Sequence, residues 1–258
     1  MTLKNLKQYK IFKNEKLLSL ELFENQGFCN INYHLKTSKN SYVLREFKSD
    51  KTVNISRDFE FKVQKIAFGK NIATKPVYLD KNKKFMIYKF LDGNHKSKLK
   101  KSELNSLIKT VKKLHKIKLV SKEMNLKNEL KQYKYLDSKK AKKSLDICNK
   151  ELRKLQRYKK SLVVCHHDLN PKNILFTKDG IKFIDWEYSG INDSFFDLAT
   201  ICYEFDLNKQ KRVYLLKKYL KNYTKKDLSK LESYIKIYKH ICKLWFISLE
   251  NSKAQGNK

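Results

Sequence analysis

The sequence predicts an α+β protein of two lobes: a small antiparallel-sheet lobe over about residues 1–91 and a larger, mainly helical lobe over 92–258. Three observations carry this. The first ninety residues run in short segments of alternating polarity bounded by turn residues. Beyond Asn94 the apolar residues recur at the helical period. That helical pattern breaks off at Ser161 and resumes only after Asn192, and the interruption holds a dense set of polar residues at fixed spacing.

In the small lobe, Leu17 to Phe23 and Ile31 to Thr37 flank the loop Glu24-Asn25-Gln26-Gly27-Phe28-Cys29-Asn30, and Ser41 to Phe47 follows as a third strand. Ser56 suits the N-cap of a helix with Phe59, Val63, Ile66 and Ala67 on one face, ending near Gly69. Pro76 to Leu79 and Lys84 to Phe90 complete five strands, and Leu91-Asp92-Gly93-Asn94 reads as a hinge. Past it, Ser102 is expected to cap a helix burying Leu104, Leu107, Ile108, Val111, Leu114 and His115. Lys122 to Lys160 is helix-rich, with Leu145, Cys148, Leu152 and Leu155 spaced for a narrow apolar stripe.

Composition sets the class. With 258 residues and 41% hydrophobic content the chain can fill a real core. No apolar run approaches the ~20 residues of a membrane span, and Met1 to Asn14 lacks the apolar segment of a signal peptide, so a cytoplasmic location is expected. Cys29, Cys148, Cys165, Cys202 and Cys242 lie far apart without metal-ligand spacing and read as buried free thiols. The formal charge of +33 suggests a polyanion partner, but only five of the 59 basic residues are arginine (Arg45, Arg57, Arg153, Arg157, Arg212) and the lysines are spread almost everywhere. Specific nucleic-acid binding is therefore not expected. Phe183 to Asn208 departs from this background: 26 residues without Lys or Arg, holding Asp185, Glu187, Asp193, Asp197, Glu204 and Asp206. Such a window attracts cations, whether metal or substrate.

The chemistry lies in His166-His167-Asp168-Leu169-Asn170-Pro171-Lys172-Asn173, an HxDxxxxN pattern. A hairpin of Ile174 to Phe176 and Ile181 to Ile184, turning at Lys178-Asp179-Gly180, leads from it to Asp185 and is expected to return that residue beside Asn173. Phosphoryl transfer needs one carboxylate to orient the hydroxyl, and an amide and a second carboxylate to hold Mg²⁺ against the phosphates of ATP. Asp168, Asn173 and Asp185 supply these groups in order. His166 is expected to brace the loop by hydrogen bonding, and His167 receives no role. Gly27 either lets backbone amides approach phosphates or makes an ordinary turn.

This stretch resembles the Brenner motif of choline and ethanolamine kinases and of aminoglycoside phosphotransferases. Ile184-Asp185-Trp186-Glu187-Tyr188-Ser189-Gly190 is similar to the corresponding choline kinase segment, and Asn192-Asp193-Ser194-Phe195-Phe196-Asp197-Leu198-Ala199 continues the likeness. The strong motifs span about Val163 to Phe205. The resemblance implies a two-lobed protein-kinase-like fold, ATP and Mg²⁺ as cofactors, and an amino alcohol, most simply choline, as substrate. It also implies a phosphate-contacting role for Arg45 on the third strand, which Glu60 is placed to pair. A quaternary ammonium is held by aromatic faces and carboxylates. Trp186, Tyr188, Tyr203, Phe205, Trp245 and Phe246 supply the rings, Trp245 by resemblance to the cage tryptophan of these kinases, and Glu187 and Glu204 the charge. Asp193 and Asp197 serve equally as caps or loop braces. A protein kinase fits poorly: Asp185-Trp186-Glu187 stands where DFG would, no APE element is present, and no room remains for an activation loop before Asp197. Ethanolamine, an aminoglycoside, a sugar, or a noncatalytic nucleotide- or polyanion-binding role are the alternatives. Nothing in the sequence sets the oligomeric state.

Overall fold

A computed structural model describes residues 1–24, 26, 30–48, 55–121 and 123–256. They form two compact units, Met1–His95 with Leu175–Tyr188, and Lys96–Ile174 with Ser189–Lys258. The fold is of the kinase-like α+β class, and the first unit takes in Leu175–Tyr188 from beyond the first ninety-five residues.

The first unit is built on an antiparallel sheet of β1 (Leu17–Leu22), β2 (Asn30–Thr37), β3 (Ser41–Phe47), β4 (Pro76–Leu79) and β5 (Phe85–Lys89), in the order β1-β2-β3-β5-β4. Period-two alternation places Tyr42 and Leu44 in a cluster with Leu35, Phe85 and Ile87, and turns Arg45 to the opposite face. A helix not expected from the sequence, α1 (Leu3–Leu6), and a 3₁₀ turn at Lys10–Phe12 close that cluster with Leu6 and Phe12. Four residues are too few for a readable period, and α1 owes its start to Thr2, whose hydroxyl accepts from Asn5 N.

Between β3 and β4 runs α2 (Arg57–Gly69), capped by Ser56 as expected. Its buried face is Arg57, Glu60, Val63, Gln64 and Ala67, while Phe59 and Ile66 are only half-buried. The face that turns inward is thus partly charged. The hairpin of β7 (Ile174–Thr177) and β8 (Gly180–Phe183) bridges Ala73 through Phe183 and Asn94 through Phe176, which is why Leu175–Tyr188 groups with the first unit. Gly93 is required here: a Cβ on it would lie 2.3 Å from Leu175 Cδ2 and 3.0 Å from the Phe176 carbonyl oxygen.

The second unit contains α3 (Lys101–Leu114), α4 (Leu126–Glu129), α5 (Lys139–Leu155), α6 (Phe195–Glu204), α7 (Lys209–Tyr219) and α8 (Lys225–Gly256), with β6 (Leu162–Cys165) paired antiparallel to β9 (Gly190–Asp193). The cap of α3 is Lys100 instead of Ser102, because Glu103 reaches back to accept from Lys100 N at 2.7 Å. On α5 the fully buried residues are Ala141, Ser144, Cys148 and Glu151, with Leu145 and Leu152 half-buried at the flank. Small side chains there let α8 lie close along α5, and the buried Glu151 accepts from Ser233 of α8 at 2.8 Å. Among the described residues no helix is long and apolar enough to cross a membrane.

Candidate active-site residues

The HxDxxxxN loop lies in the second unit, between β6 and β7. Asp197, fully buried in the first turn of α6, grips it from below: Oδ2 accepts from His166 N and Oδ1 from His167 N, both at 2.9 Å. His167 has φ +68°, so the chain turns sharply just before Asp168. His115 at the end of α3 donates through Nε2 to Asp197 Oδ2 at 3.0 Å and shares a 2.6 Å hydrogen bond between Nδ1 and the Tyr219 hydroxyl. Burial alone would lift the Asp197 pKa, but His115, the neighbouring His167 ring and the His166 amide outweigh it and hold the carboxyl below its ordinary value. Asp197 is therefore a brace. Asp193 is a cap, accepting from Phe195 N at 3.1 Å and ion-paired to Lys230 at 2.6 Å.

So fixed, the Asp168 carboxylate accepts from Asn170 Nδ2 at 2.9 Å and from Asn173 Nδ2 at 2.7 Å. Asn173 also donates to the Asp168 carbonyl oxygen at 3.0 Å. Both donations go through nitrogen, which keeps the Asn173 amide oxygen for another partner, and a hard oxygen suits Mg²⁺. His166 is fully buried beside this loop.

Between the C-terminal end of α6 and the middle of α8 in the same unit, the Tyr238 hydroxyl donates to Glu204 Oε1 at 2.9 Å, and the Tyr203 and Tyr238 rings meet edge-to-face at 5.6 Å. Burial raises the Glu204 pKa against the pull of that hydrogen bond, with no cationic side chain opposing it. Burial likewise pushes the Cys242 thiol to about 12, and the negative charges of Glu204 and Asp168 add to the shift. Tyr238 feels the same two carboxylates. Trp245, seven residues along α8 from Tyr238, is half-buried against the cluster of Leu130, Tyr133 and Leu244.

The remaining candidates fall in the first unit, around a closed ring of charges. Arg45 Nη1 donates to Glu60 Oε1 and Arg57 Nη1 to Glu60 Oε2, each at 2.9 Å. Glu187 Oε2 accepts from Arg57 Nη1 at 3.1 Å, from Asn30 Nδ2 at 3.0 Å, and from Arg45 Nη2. That same Arg45 Nη2 lies 2.8 Å from Asp185 Oδ1. Burial works against the charge on Arg45, but Asp185, Glu60 and Glu187 overcome it and keep the guanidinium firmly protonated. The ring is sealed from water whereas Asp185 is not: the Arg45, Glu60, Arg57 and Glu187 side chains are 1–4% exposed, against 34% for Asp185. Asp185 also sits at φ +64°, a conformation that sets its carboxylate apart from the strand before it.

Glu187, read from the sequence as a substrate contact, thus has its carboxylate taken up by two arginines and an asparagine. Trp186 is fully buried with its indole N–H donating to the Phe183 carbonyl, which makes it a packing residue. Tyr188 is half-buried in the same segment, and Gly27 lies outside the described residues. Sequence reasoning passed over Arg57, Asn30 and Tyr238. The scarcity of arginine was a signal for Arg57, and the spacing Tyr238, Cys242, Trp245 on one helical face was one for Tyr238.

Comparison with known proteins shows the family. The model of the phosphotransferase enzyme family matches residues 23–231. The chain belongs to that family. It is a small-molecule kinase, 30% identical over 249 residues to the protein LicA of Haemophilus influenzae, a match that covers 89% of this chain and 73% of the relative. A second LicA, from another Haemophilus influenzae strain, is 30% identical over 246 residues, covering 88% of this chain and 91% of the relative. In fold, the kinase is similar to the crystal structure of choline kinase LicA from Streptococcus pneumoniae, with a TM-score of 0.82 at 20% identity over 96% of this chain and 91% of the other. It is less similar to a spectinomycin phosphotransferase, with a TM-score of 0.63 at 14% identity over 93% and 84% of the two chains.

Proposed function

We propose that this kinase transfers the γ-phosphoryl group of ATP to the hydroxyl of choline. The observation that carries the choice of acceptor is the Glu204–Tyr238 pair: a half-buried carboxylate held by a tyrosine hydroxyl and flanked by the Tyr203 ring, in the same unit as the Asp168 loop. In a chain of charge +33, two carboxylates with no cationic side chain to neutralise Glu204 make a place for a cation brought from outside. Choline has no N–H to donate, so charge and aromatic faces are what can hold it, and the half-exposed side of Trp245, on the same face of α8, supplies a further ring. The relatives described as choline kinases support the same reading.

In the proposed reaction Asp168 orients the hydroxyl and accepts its proton. The hydroxyl oxygen bonds to the γ-phosphorus as the bond to the β–γ bridging oxygen breaks, releasing ADP and the phosphate ester. Arg45 adds buried positive charge in the first unit that would complement the phosphates at longer range. The amide oxygen of Asn173 and the partly exposed carboxylate of Asp185 are each hard oxygens of the kind Mg²⁺ takes, and the metal when bound would offset phosphate charge. Asn173 and Asp168 are locked together by two hydrogen bonds, so neither has to reorganise when substrates arrive. The expected location is the cytoplasm, where ATP is made available.

A coupled assay of ADP release with choline, ethanolamine, aminoglycosides and sugars as acceptors tests the proposal. Choline is expected to give the highest kcat/KM. Ethanolamine ahead of choline would move the assignment to a primary ammonium, and a preference for an aminoglycoside or sugar would remove the cation recess from the mechanism.

A further inference from the structure

We infer that Arg57 is a charge-balancing positioning residue for nucleotide binding, which offsets the negative charge gathered around Arg45; this rests on the kinase reading above. Around Arg45 the first unit gathers three carboxylates, Glu60, Glu187 and Asp185, each in contact with its guanidinium. One arginine among three carboxylates leaves a local charge of −2, which would repel an anionic nucleotide and commit Arg45 to its own neighbours. Arg57 reduces this to −1. Its Nη1 takes the second oxygen of Glu60 and shares Oε2 of Glu187, the two carboxylates most deeply sealed from water. Its guanidinium is held in place by stacking over the Phe47 ring, 3.8 Å from the centroid, and by lying on the inner face of α2.

The residue type is part of the argument. The chain has 59 basic residues and only five arginines, yet two of the five stand in this ring. A lysine offers a point charge and cannot lay a flat guanidinium over the Phe47 ring while it donates to both carboxylates. Asp185 has no second cation of this kind: it touches Arg45 alone of the two and is the most exposed of the three carboxylates. Arg57 therefore neutralises the sealed carboxylates and not the open one.

This assignment predicts opposite signs for the two partners of one ion pair. Arg57→Met should weaken ATP binding about tenfold or more, because it restores an uncompensated negative charge beside Arg45. Glu187→Gln removes a competitor for Arg45 and should leave ATP binding equal or tighter. The double variant Arg57→Met/Glu187→Gln returns the local charge to −1 and should recover most of the lost affinity, and Arg57→Lys should fall between Arg57→Met and the wild-type protein. ATP dissociation constants are read by isothermal titration, in EDTA and again with Mg²⁺, alongside the KM of the hydroxyl substrate and the Tm of each variant. The substrate KM is expected to stay within about twofold throughout. Arg57→Met with wild-type ATP affinity overturns the inference, and so does equal loss of affinity in Arg57→Met and Glu187→Gln, since a merely structural ring moves both the same way. Should Arg57→Met not fold, the double variant and Arg57→Lys carry the same comparison. A wild-type protein that binds ATP in neither buffer overturns the kinase reading itself, and this inference with it.

Discussion

Asp197 and Glu204 of the second unit are buried differently from Glu60 and Glu187 of the first. In the first, Glu60 and Glu187 are closed inside a ring with Arg45 and Arg57, so that charge is met by charge. In the second, no guanidinium takes part: Asp197 is met by two backbone amides and a histidine, and Glu204 by a single tyrosine hydroxyl. The difference separates carboxylates that are finished structural parts from one that is not. Glu204 alone of these four combines partial burial with a neutral partner, and burial raises its pKa against the Tyr238 hydrogen bond.

The comparison can be broken most decisively at the loop it frames. Asp168→Asn should lower turnover by roughly 10² to 10⁴ while ATP affinity measured by titration stays near that of the wild-type protein. Turnover within about threefold would remove Asp168 as base. Next in size, Asp197→Ala strands two buried backbone N–H groups and the His115 ring, and should destabilise the fold by about 2 to 5 kcal/mol in chemical denaturation. A loss under about 0.5 kcal/mol would show that the loop does not depend on its brace.

Glu204 sharpens the comparison through pH. Because burial raises its pKa above the ordinary 4.5, the folded state disfavours its ionised form, so stability from this group is fullest below the ordinary value and declines as pH rises through the raised one. Glu204→Gln should therefore raise Tm at pH 7, with the gain shrinking toward zero near pH 4, and at the same time raise the choline KM about tenfold. A variant that melts lower at pH 7 would mean the carboxylate is already neutralised within the fold. The smallest effect expected is at Trp245. Trp245→Leu keeps most of the packing on Leu130 and Leu244 but loses the ring quadrupole, so choline KM should rise several-fold with little change in Tm. Unchanged KM with a lowered Tm would return Trp245 to the core.

Much of the fold was readable because its signals are local. The period-two runs of β2 and β3 and the strong apolar face of α3 are near-neighbour patterns, and the structure places those elements within a residue or two. Elements without a period were missed: α1 has four residues, and β9, Gly190–Asp193, has no alternation to read. The stripe expected on α5 was displaced because α8 settled over its smaller residues, a choice made by a partner far away in the chain. The expected cap of α3 moved by two residues for a local reason, the reach of Glu103.

For the site, the sequence by itself supplied the residues proposed to carry the chemistry. Asp168, Asn173 and Asp185 stand in one run whose spacing reflects a loop and a hairpin, and short loops leave few conformations to choose between. The family, too, lies in that run. Only the tertiary structure decided what each acid of the Lys-free window does. Asp185 and Glu187 are two residues apart, yet one is a third exposed and the other sealed under two arginines. Asp197 became a brace through amides thirty residues upstream, and Glu204 met Tyr238 across two helices. A carboxylate's role depends on its counterion and its access to water, and both are contributed by residues distant in sequence, which no local pattern records.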